Sequence, residues 1–260
     1  MRVQEITDGQ IENARIVLEN HVVRPLTLEG AFESGLFCIC SQATPFEIAS
    51  RFVYALRETS HSKEMDARQK YSKLDVLIDK DKVNAAALKI GWRFAYKKRF
   101  DEFIDYFKRL DGNWPEMVRD AGVEERERFV NDVKWLSNKT FSFWSICLGG
   151  TNLLALDVYV MKGLKDLGIN IKDDFVHPVA RNVGSQRVRK TPRNREYLII
   201  EKEARDFFER DERFLLGDGK VNMALVDAVL WWARANRGTQ NQGYLFGNGN
   251  MSWLYMPYAN

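Results

Sequence analysis

Residues 136–157, LSNKTFSFWSICLGGTNLLALD, contain the pattern that decides the fold. The stretch predicts a short turn at Ser137–Asn138 and then a helix that opens with Lys139. A break at Gly149–Gly150 precedes a second helix, which carries Asp157. Lys139 and Asp157 are 18 residues apart. This spacing lets a lysine at the start of one helix face a carboxylate at the start of the next, across a tight hairpin.

Most of the remaining chain has the three- and four-residue apolar spacing of helices. The predicted helices cover residues 31–57, 82–110, 124–136, 139–148, 153–167, 197–210 and 221–236. Within the first range, Pro45 after Thr44 predicts the start of a new helix. No segment alternates with period two for long enough to require a sheet. We therefore expect an all-α protein, with one or two strands near either end at most.

Composition limits the class of protein. The chain has 260 residues, 45% of them hydrophobic, which is ample for a buried core, and its net charge of +3 is too small to indicate a partner. Three cysteines, Cys38, Cys40 and Cys147, form no disulfide framework, so we expect a reducing, intracellular setting. The Cys38–Cys40 pair has no companion ligands, and we expect no metal and no cofactor. Neither a signal peptide nor a membrane span is predicted.

Two segments interrupt the helical pattern. Residues 180–195 contain six Arg or Lys and no acidic residue, which predicts an exposed basic loop. Residues 241–260 carry no charged side chain and five aromatic ones. We expect this aromatic tail to pack back onto the body of the protein.

The stretch around Lys139 resembles the helix-hairpin-helix DNA glycosylases, in particular their 8-oxoguanine branch. The residues that carry the likeness are Lys139, Ser142, Trp144, Gly149, Leu156, Asp157 and Val160. Residues 37–51 and 90–104 are similar to two further segments of these families, and Asp227 with Trp231 resembles the base-pocket pair of the archaeal GO glycosylases. The resemblance, which includes the type-2 8-oxoguanine glycosylases, extends over about residues 30–236.

The resemblance implies a bifunctional enzyme of base excision repair, with Lys139 as nucleophile and Asp157 as its carboxylate partner. An amine that attacks the sugar carbon forms a Schiff base, from which β-elimination cleaves the strand. Free lysine is only about 0.1% neutral at pH 7.4. Partial burial beside Trp135, Phe141 and Phe143 is expected to lower the pKa of Lys139. Asp157 opposes this shift, so we assign it to stabilising the developing positive sugar.

Excision also requires a pocket for an extruded base. The resemblance implies that the pocket is formed by Gln42, Trp92, Phe143, Asp227 and Trp231. An acceptor that faces N7 would select 8-oxoguanine, which bears a hydrogen there. The alternative for each of these residues is ordinary core packing, although a buried acid such as Asp227 within an apolar helix needs a reason.

Contacts to the DNA backbone are expected at the hairpin and at two basic runs. The candidates are Ser137, Asn138, Lys97, Lys98, Arg189, Lys190 and Arg193. Family hairpins usually contain glycines where this chain has residues 136–138, and a solvated charged face is the alternative for each basic run. The tail 241–260 lacks the terminal lysine of the type-2 enzymes.

We expect one glycosylase domain of two helical subdomains, with the active site in the cleft between them. The expected subdomains are residues 1–60 with 196–260, and residues 61–179, joined by the basic loop 180–195. The protein is expected to be a monomer that binds damaged DNA. Two alternatives are a glycosylase for another damaged or modified base and a non-catalytic helix-hairpin-helix DNA-binding module.

Overall fold

The protein is described by a computed structural model. The described residues are 6–23, 25–41, 49, 51–53, 55–56, 78–89, 97–110, 112–177, 179–180, 187–188 and 191–235. Within them the chain is helical, and the prediction of an all-α fold is confirmed.

The principal elements follow one another in this order: α1 (Asp8–His21), α2 (Leu28–Cys40), α3 (Lys80–Lys89), α4 (Lys97–Phe107), α5 (Trp114–Arg119), α6 (Val123–Asp132), α7 (Asn138–Cys147), α8 (Val158–Asp166), α9 (Asp173–Val176), β1 (Val179–Ala180), β2 (Arg187–Val188), α10 (Asn194–Phe208), a 3-10 turn (Glu212–Phe214) and α11 (Met223–Ala235). The two short strands pair antiparallel, with Val179 opposite Val188. Strand β1 ends at the first residue of the segment predicted as a basic loop, and β2 lies within that segment.

Two compact units divide the chain after His21 and after Gly149. We call residues 22–149 the central unit and residues 6–21 with 150–235 the terminal unit. These boundaries differ from the expected subdomains, because α2 packs with α4 and α7, and α8 packs with α11. Described residues between 22 and 56 therefore belong to the central unit, and residues 150–177 belong to the terminal unit.

An aromatic core holds α7 in the central unit. Trp144 of α7 is fully buried, and its indole Nε1 donates to the carbonyl oxygen of Ala31 in α2 at 3.0 Å. Gly35 allows this close approach, since a Cβ there would lie 2.5 Å from Phe103 Cζ and 2.9 Å from the Trp144 ring. The face of α7 that packs on α2, α5 and α6 is thus fixed by side chains of the core.

The core of the terminal unit is aliphatic for the most part, and α11 runs through it. Helices α1 and α8 both pack against α11. At the α8–α11 contact, Gly163 lies so close to Leu230 that a Cβ would approach Leu230 Cδ2 to 2.9 Å. This packing determines where the first turn of α8 lies.

The helix boundaries differ most from the sequence prediction before α8. Helix α2 ends at Cys40, where Ser41 caps it, and the helix start predicted at Pro45 lies outside the described residues. Residues 153–157 are not helical, and α8 begins only at Val158. The apolar spacing of this segment is typical of a helix, yet its backbone groups are bound by side chains of α10 and α11.

None of the helices in the described part of the chain is both long enough and apolar enough to span a bilayer.

Candidate functional site

Two helices joined by a short turn lie within the central unit. Helix α6 ends at Asp132, and α7 begins at Asn138 and packs against α6. In the turn between them, Leu136 N–H donates to the Val133 carbonyl at 2.9 Å. Ser137 then caps α7, because its Oγ accepts from the Thr140 N–H at 3.2 Å. The capping residue and the turn thus set the start of α7 through local contacts.

Lys139 is the second residue of α7, and it is exposed although Thr140 and Phe141 beside it are buried. The expected partial burial of Lys139 is not seen: Phe141 is buried in the core, Trp135 and Phe143 are half-buried, and Lys139 itself is exposed. Burial raises the pKa of the Cys38 thiol in α2, as does a hydrogen bond with Cys147, while the charge of Lys139 acts in the opposite direction.

Three other predicted residues lie on or beside the first turns of α7. Ser137 is exposed, whereas the adjacent Asn138 is 6% exposed. Phe143 is half-buried, and its ring centroid lies 6.4 Å from that of Phe37. The ring of Phe143 therefore packs against α2 and keeps part of its surface in solvent.

Asp157 caps the N-terminus of α8 in the terminal unit. Its Oδ1 accepts from the N–H groups of Tyr159 at 2.7 Å and Val160 at 2.8 Å. The Asp157 N–H donates to the Ala155 carbonyl at 2.6 Å. These bonds hold the carboxylate at the positive end of the helix dipole.

Helix α10 holds the non-helical segment that leads to Asp157. The Tyr197 hydroxyl donates to the Leu154 carbonyl at 2.6 Å and accepts from the Leu156 N–H at 3.0 Å. The Leu154 N–H donates to Glu201 Oε1 at 2.8 Å. Arg205 donates from Nη2 to the Asn152 carbonyl at 2.5 Å.

Asp227 and Trp231 on α11 lie beside the same segment. Asp227 is half-buried, and its Oδ2 accepts from the Ala155 N–H at 3.0 Å. The Trp231 ring meets that of Tyr159 nearly perpendicularly, with centroids 6.3 Å apart. The terminal unit thus brings three predicted site residues, Asp157, Asp227 and Trp231, together around residues 155–159.

The basic candidates are exposed where they are described. Lys98 lies 4.0 Å from Glu102, one turn along α4. Arg193 precedes α10, and its N–H donates to Glu196 Oε2 at 3.0 Å. Lys97 is described only as the first residue of α4. Gln42, Trp92, Arg189 and Lys190 lie outside the described residues.

Three residues beside the site were not predicted. Tyr159 partners Trp231, and Tyr197 and Glu201 bind the segment before Asp157. The four-residue spacing of Tyr197, Glu201 and Arg205 was the available signal, since it aligns three polar side chains on one face of a helix. Across the described ranges, His, Cys, Asp and Glu form no group of three or more that could hold a metal ion.

The helices and the contacts around residues 155–159 define an all-α fold in the described part of the chain. The structure is similar to that of the Methanocaldococcus jannaschii 8-oxoguanine glycosylase/lyase in complex with 15mer DNA containing 8-oxoguanine. The TM-score is 0.53 at 17% sequence identity, and the match covers 90% of this chain and 92% of that chain. No protein-family model and no curated protein sequence matches this chain.

Proposed function

We propose that this protein is a DNA glycosylase and lyase that excises 8-oxoguanine, with Lys139 as its nucleophile. The observation that carries the proposal is the fold that 90% of this chain shares with the solved glycosylase/lyase. It is combined with a lysine in the first turn of α7, directly after the turn that joins α6 and α7. The exposure of Lys139 supports this role, because an extruded nucleotide has access to its amine.

The reaction begins when the Lys139 amine gives up a proton to solvent and its Nζ attacks C1′ of the damaged nucleotide. The N-glycosidic bond breaks, and its electron pair leaves with the base, which takes up a proton. Opening of the sugar ring then gives a Schiff base between Nζ and C1′. Removal of a C2′ proton expels the 3′ phosphate, so the strand is cut by β-elimination.

Asp157 stabilises the positive charge that develops on the sugar as the base leaves. A carboxylate is suited to this role when it is held in place before the reaction. Two backbone N–H groups of α8 hold one of its oxygens, and the segment before it is bound to α10. Asp157 therefore needs little reorganisation when the charge forms.

Base selection in this proposal involves Asp227, Trp231 and Phe143. An aromatic ring offers a stacking surface to an extruded purine. Asp227 accepts a hydrogen bond from Ala155 through Oδ2. A carboxylate oxygen that also accepts from N7–H favours 8-oxoguanine over guanine, because guanine has no hydrogen at N7.

Borohydride trapping tests the proposal most directly. The wild-type protein, Lys139→Gln and the control Lys108→Gln are incubated with a duplex that contains one 8-oxoguanine. Lys108 is exposed, follows α4 and has no part in the proposed chemistry. We expect a covalent adduct with the wild type and the control, and none with Lys139→Gln.

The other outcomes separate the alternatives. Trapping on an abasic site but not on 8-oxoguanine would keep the lyase and assign the enzyme to another lesion. An adduct that persists in Lys139→Gln would assign the nucleophile to a different amine. Binding of DNA with no adduct and no base release would indicate a non-catalytic DNA-binding module.

A further inference from the structure

The backbone of residues 152–156 is bound by side chains rather than by a neighbouring strand or helix. Leu154 and Leu156 donate their N–H groups to Glu201 and Tyr197, and Ala155 donates to Asp227. The carbonyl groups of Asn152 and Leu154 accept from Arg205 and Tyr197. Five backbone groups in five residues thus have side-chain partners.

One face of α10 supplies most of these partners. Residues 197, 201 and 205 are four apart, and this spacing aligns them along a single stripe of the helix. Tyr197 and Glu201 are each 2% exposed. The stripe therefore binds the segment inside the core, where water does not compete for the hydrogen bonds.

Burial makes these bonds decisive for the path of the segment. Its apolar members are all buried: Leu153, Leu154, Ala155 and Leu156. A buried backbone N–H or carbonyl group without a partner is destabilising, so the segment lies where the side chains satisfy it. Burial of the Glu201 carboxylate is destabilising in itself, so a leucine would give a more stable protein if this residue only packed in the core.

The bound segment ends directly at Asp157. Leu156, which is held by Tyr197, is the preceding residue, and the Asp157 N–H is bound to Ala155. A shift of residues 154–156 therefore moves the Asp157 carboxylate. We propose that Glu201 is a positioning residue for Asp157, acting through Leu154 with Tyr197 beside it. This inference rests on the proposed function, in which Asp157 takes part in base excision.

Single-turnover excision of 8-oxoguanine tests the inference through two separate quantities. The rate constant reports on the geometry of folded enzyme, and the amplitude reports on the fraction that is folded and competent. Glu201→Ala is expected to lower the rate constant about 100-fold with the amplitude retained, since a misplacement of about 1 Å has an effect of this size. Glu201→Gln keeps an oxygen that accepts from Leu154 and is expected to restore most of the rate.

Two matched variants complete the set. Glu203→Ala removes an exposed carboxylate from the same helix and is expected to leave the rate unchanged. Tyr197→Phe removes only a hydroxyl, so it replaces Glu201→Ala if that variant does not fold, and the rate constant is again expected to fall. A loss of amplitude with an unchanged rate constant, in either variant, would show a purely structural role and overturn the inference.

The same substitution in an Asp157→Asn background identifies the residue through which Glu201 acts. Glu201→Ala is expected to have little further effect there, because effects that pass through one residue are not additive. A full additional loss of rate in that background would overturn the inference and connect Glu201 with another step.

Amide hydrogen exchange separates this inference from the proposed function. If the wild type excises no base, the proposed function fails, and the positioning is then judged from the amides of Tyr159 and Val160, which the Asp157 carboxylate caps. Faster exchange at these two amides in Glu201→Ala, with the rest of α8 unchanged, supports positioning of Asp157. Unchanged exchange overturns it.

Discussion

The helix starts that carry Lys139 and Asp157 are built in different ways. At the start of α7, Ser137 caps Thr140 three residues later, and the preceding turn is closed within residues 133–136. At the start of α8, the carboxylate forms the cap, and the segment before it is bound to residues 41 to 72 positions away. Lys139 is positioned by its own turn, and the Asp157 carboxylate is positioned through side chains of α10 and α11.

The two helix starts should therefore differ in how well they tolerate the loss of a hydrogen bond. A locally capped helix start tolerates the loss of one hydrogen bond, because the neighbouring turns and Trp144 still hold α7. The start of α8 depends on several buried polar groups that act together, so the loss of one affects the others. Substitutions at the two starts should therefore have unequal effects.

The largest effect is expected from Asp157→Asn. Asparagine caps a helix about as well as aspartate, so the free energy of unfolding should change by less than about 0.5 kcal/mol. Excision should slow by about 100- to 1,000-fold, because the negative charge opposite the developing positive sugar is lost. Single-turnover excision and urea denaturation measure the two quantities on the same preparation.

Asp157→Ala is the matched variant. It removes the charge and the cap together, so its activity should be as low as that of Asp157→Asn. Its free energy of unfolding should be lower by about a further 1 kcal/mol. Equal stability of the two variants would show that the cap contributes nothing at this position.

Tyr197→Phe should have the next largest effect, on stability. The substitution keeps the ring and removes a hydroxyl that serves two buried backbone groups, the Leu154 carbonyl and the Leu156 N–H. Leaving both without that partner should lower the free energy of unfolding by about 2–3 kcal/mol. Urea denaturation measures the loss, and a change below about 0.5 kcal/mol would contradict the importance of this contact.

The two helix starts were also unequally predictable from the sequence. The start of α7 was placed within one residue, at Lys139 rather than Asn138, because its turn and cap are local. The start of α8 was predicted at residue 153 and lies at Val158. The apolar run before Val158 is not helical, because contacts with distant residues bind its backbone. Asp227 was noted as an acid in an apolar helix that needs a reason; its Oδ2 accepts from the Ala155 N–H, and its role in a base pocket stays a prediction.

Side-chain exposure at the site was the least predictable feature. The aromatic residues around Lys139 suggested partial burial of its amine, yet Phe141 faces the core and Lys139 faces solvent. Helical periodicity predicts on which face of a helix a residue lies, but not which neighbouring side chains cover it. The burial of Asn138 beside an exposed Ser137 illustrates the same limit.

Gly149 provides a test at the end of α7. Its φ of +93° lies in the left-handed region, and a Cβ there would meet Val22 Cγ1 at 3.2 Å. Gly149→Ala should lower the free energy of unfolding by about 1–2 kcal/mol. Gly217→Ala is a suitable control, since a Cβ at Gly217 meets no atom within 4 Å. Denaturation of both variants measures the difference, and equal stabilities would contradict the strain assigned to Gly149.

Ser137→Ala should have the smallest effect and tests the comparison from the other side. It removes the side-chain acceptor for the Thr140 N–H, which should cost about 1 kcal/mol of stability. Lys139 should nevertheless keep its place, because the Phe141 N–H still bonds to the Ser137 carbonyl at 2.9 Å and Trp144 still anchors α7 to Ala31. The single-turnover rate on 8-oxoguanine should then fall far less than in Glu201→Ala. A loss of rate as large as that of Glu201→Ala would show that Lys139 depends on its cap as much as Asp157 depends on α10. The distinction between the two helix starts would then not hold.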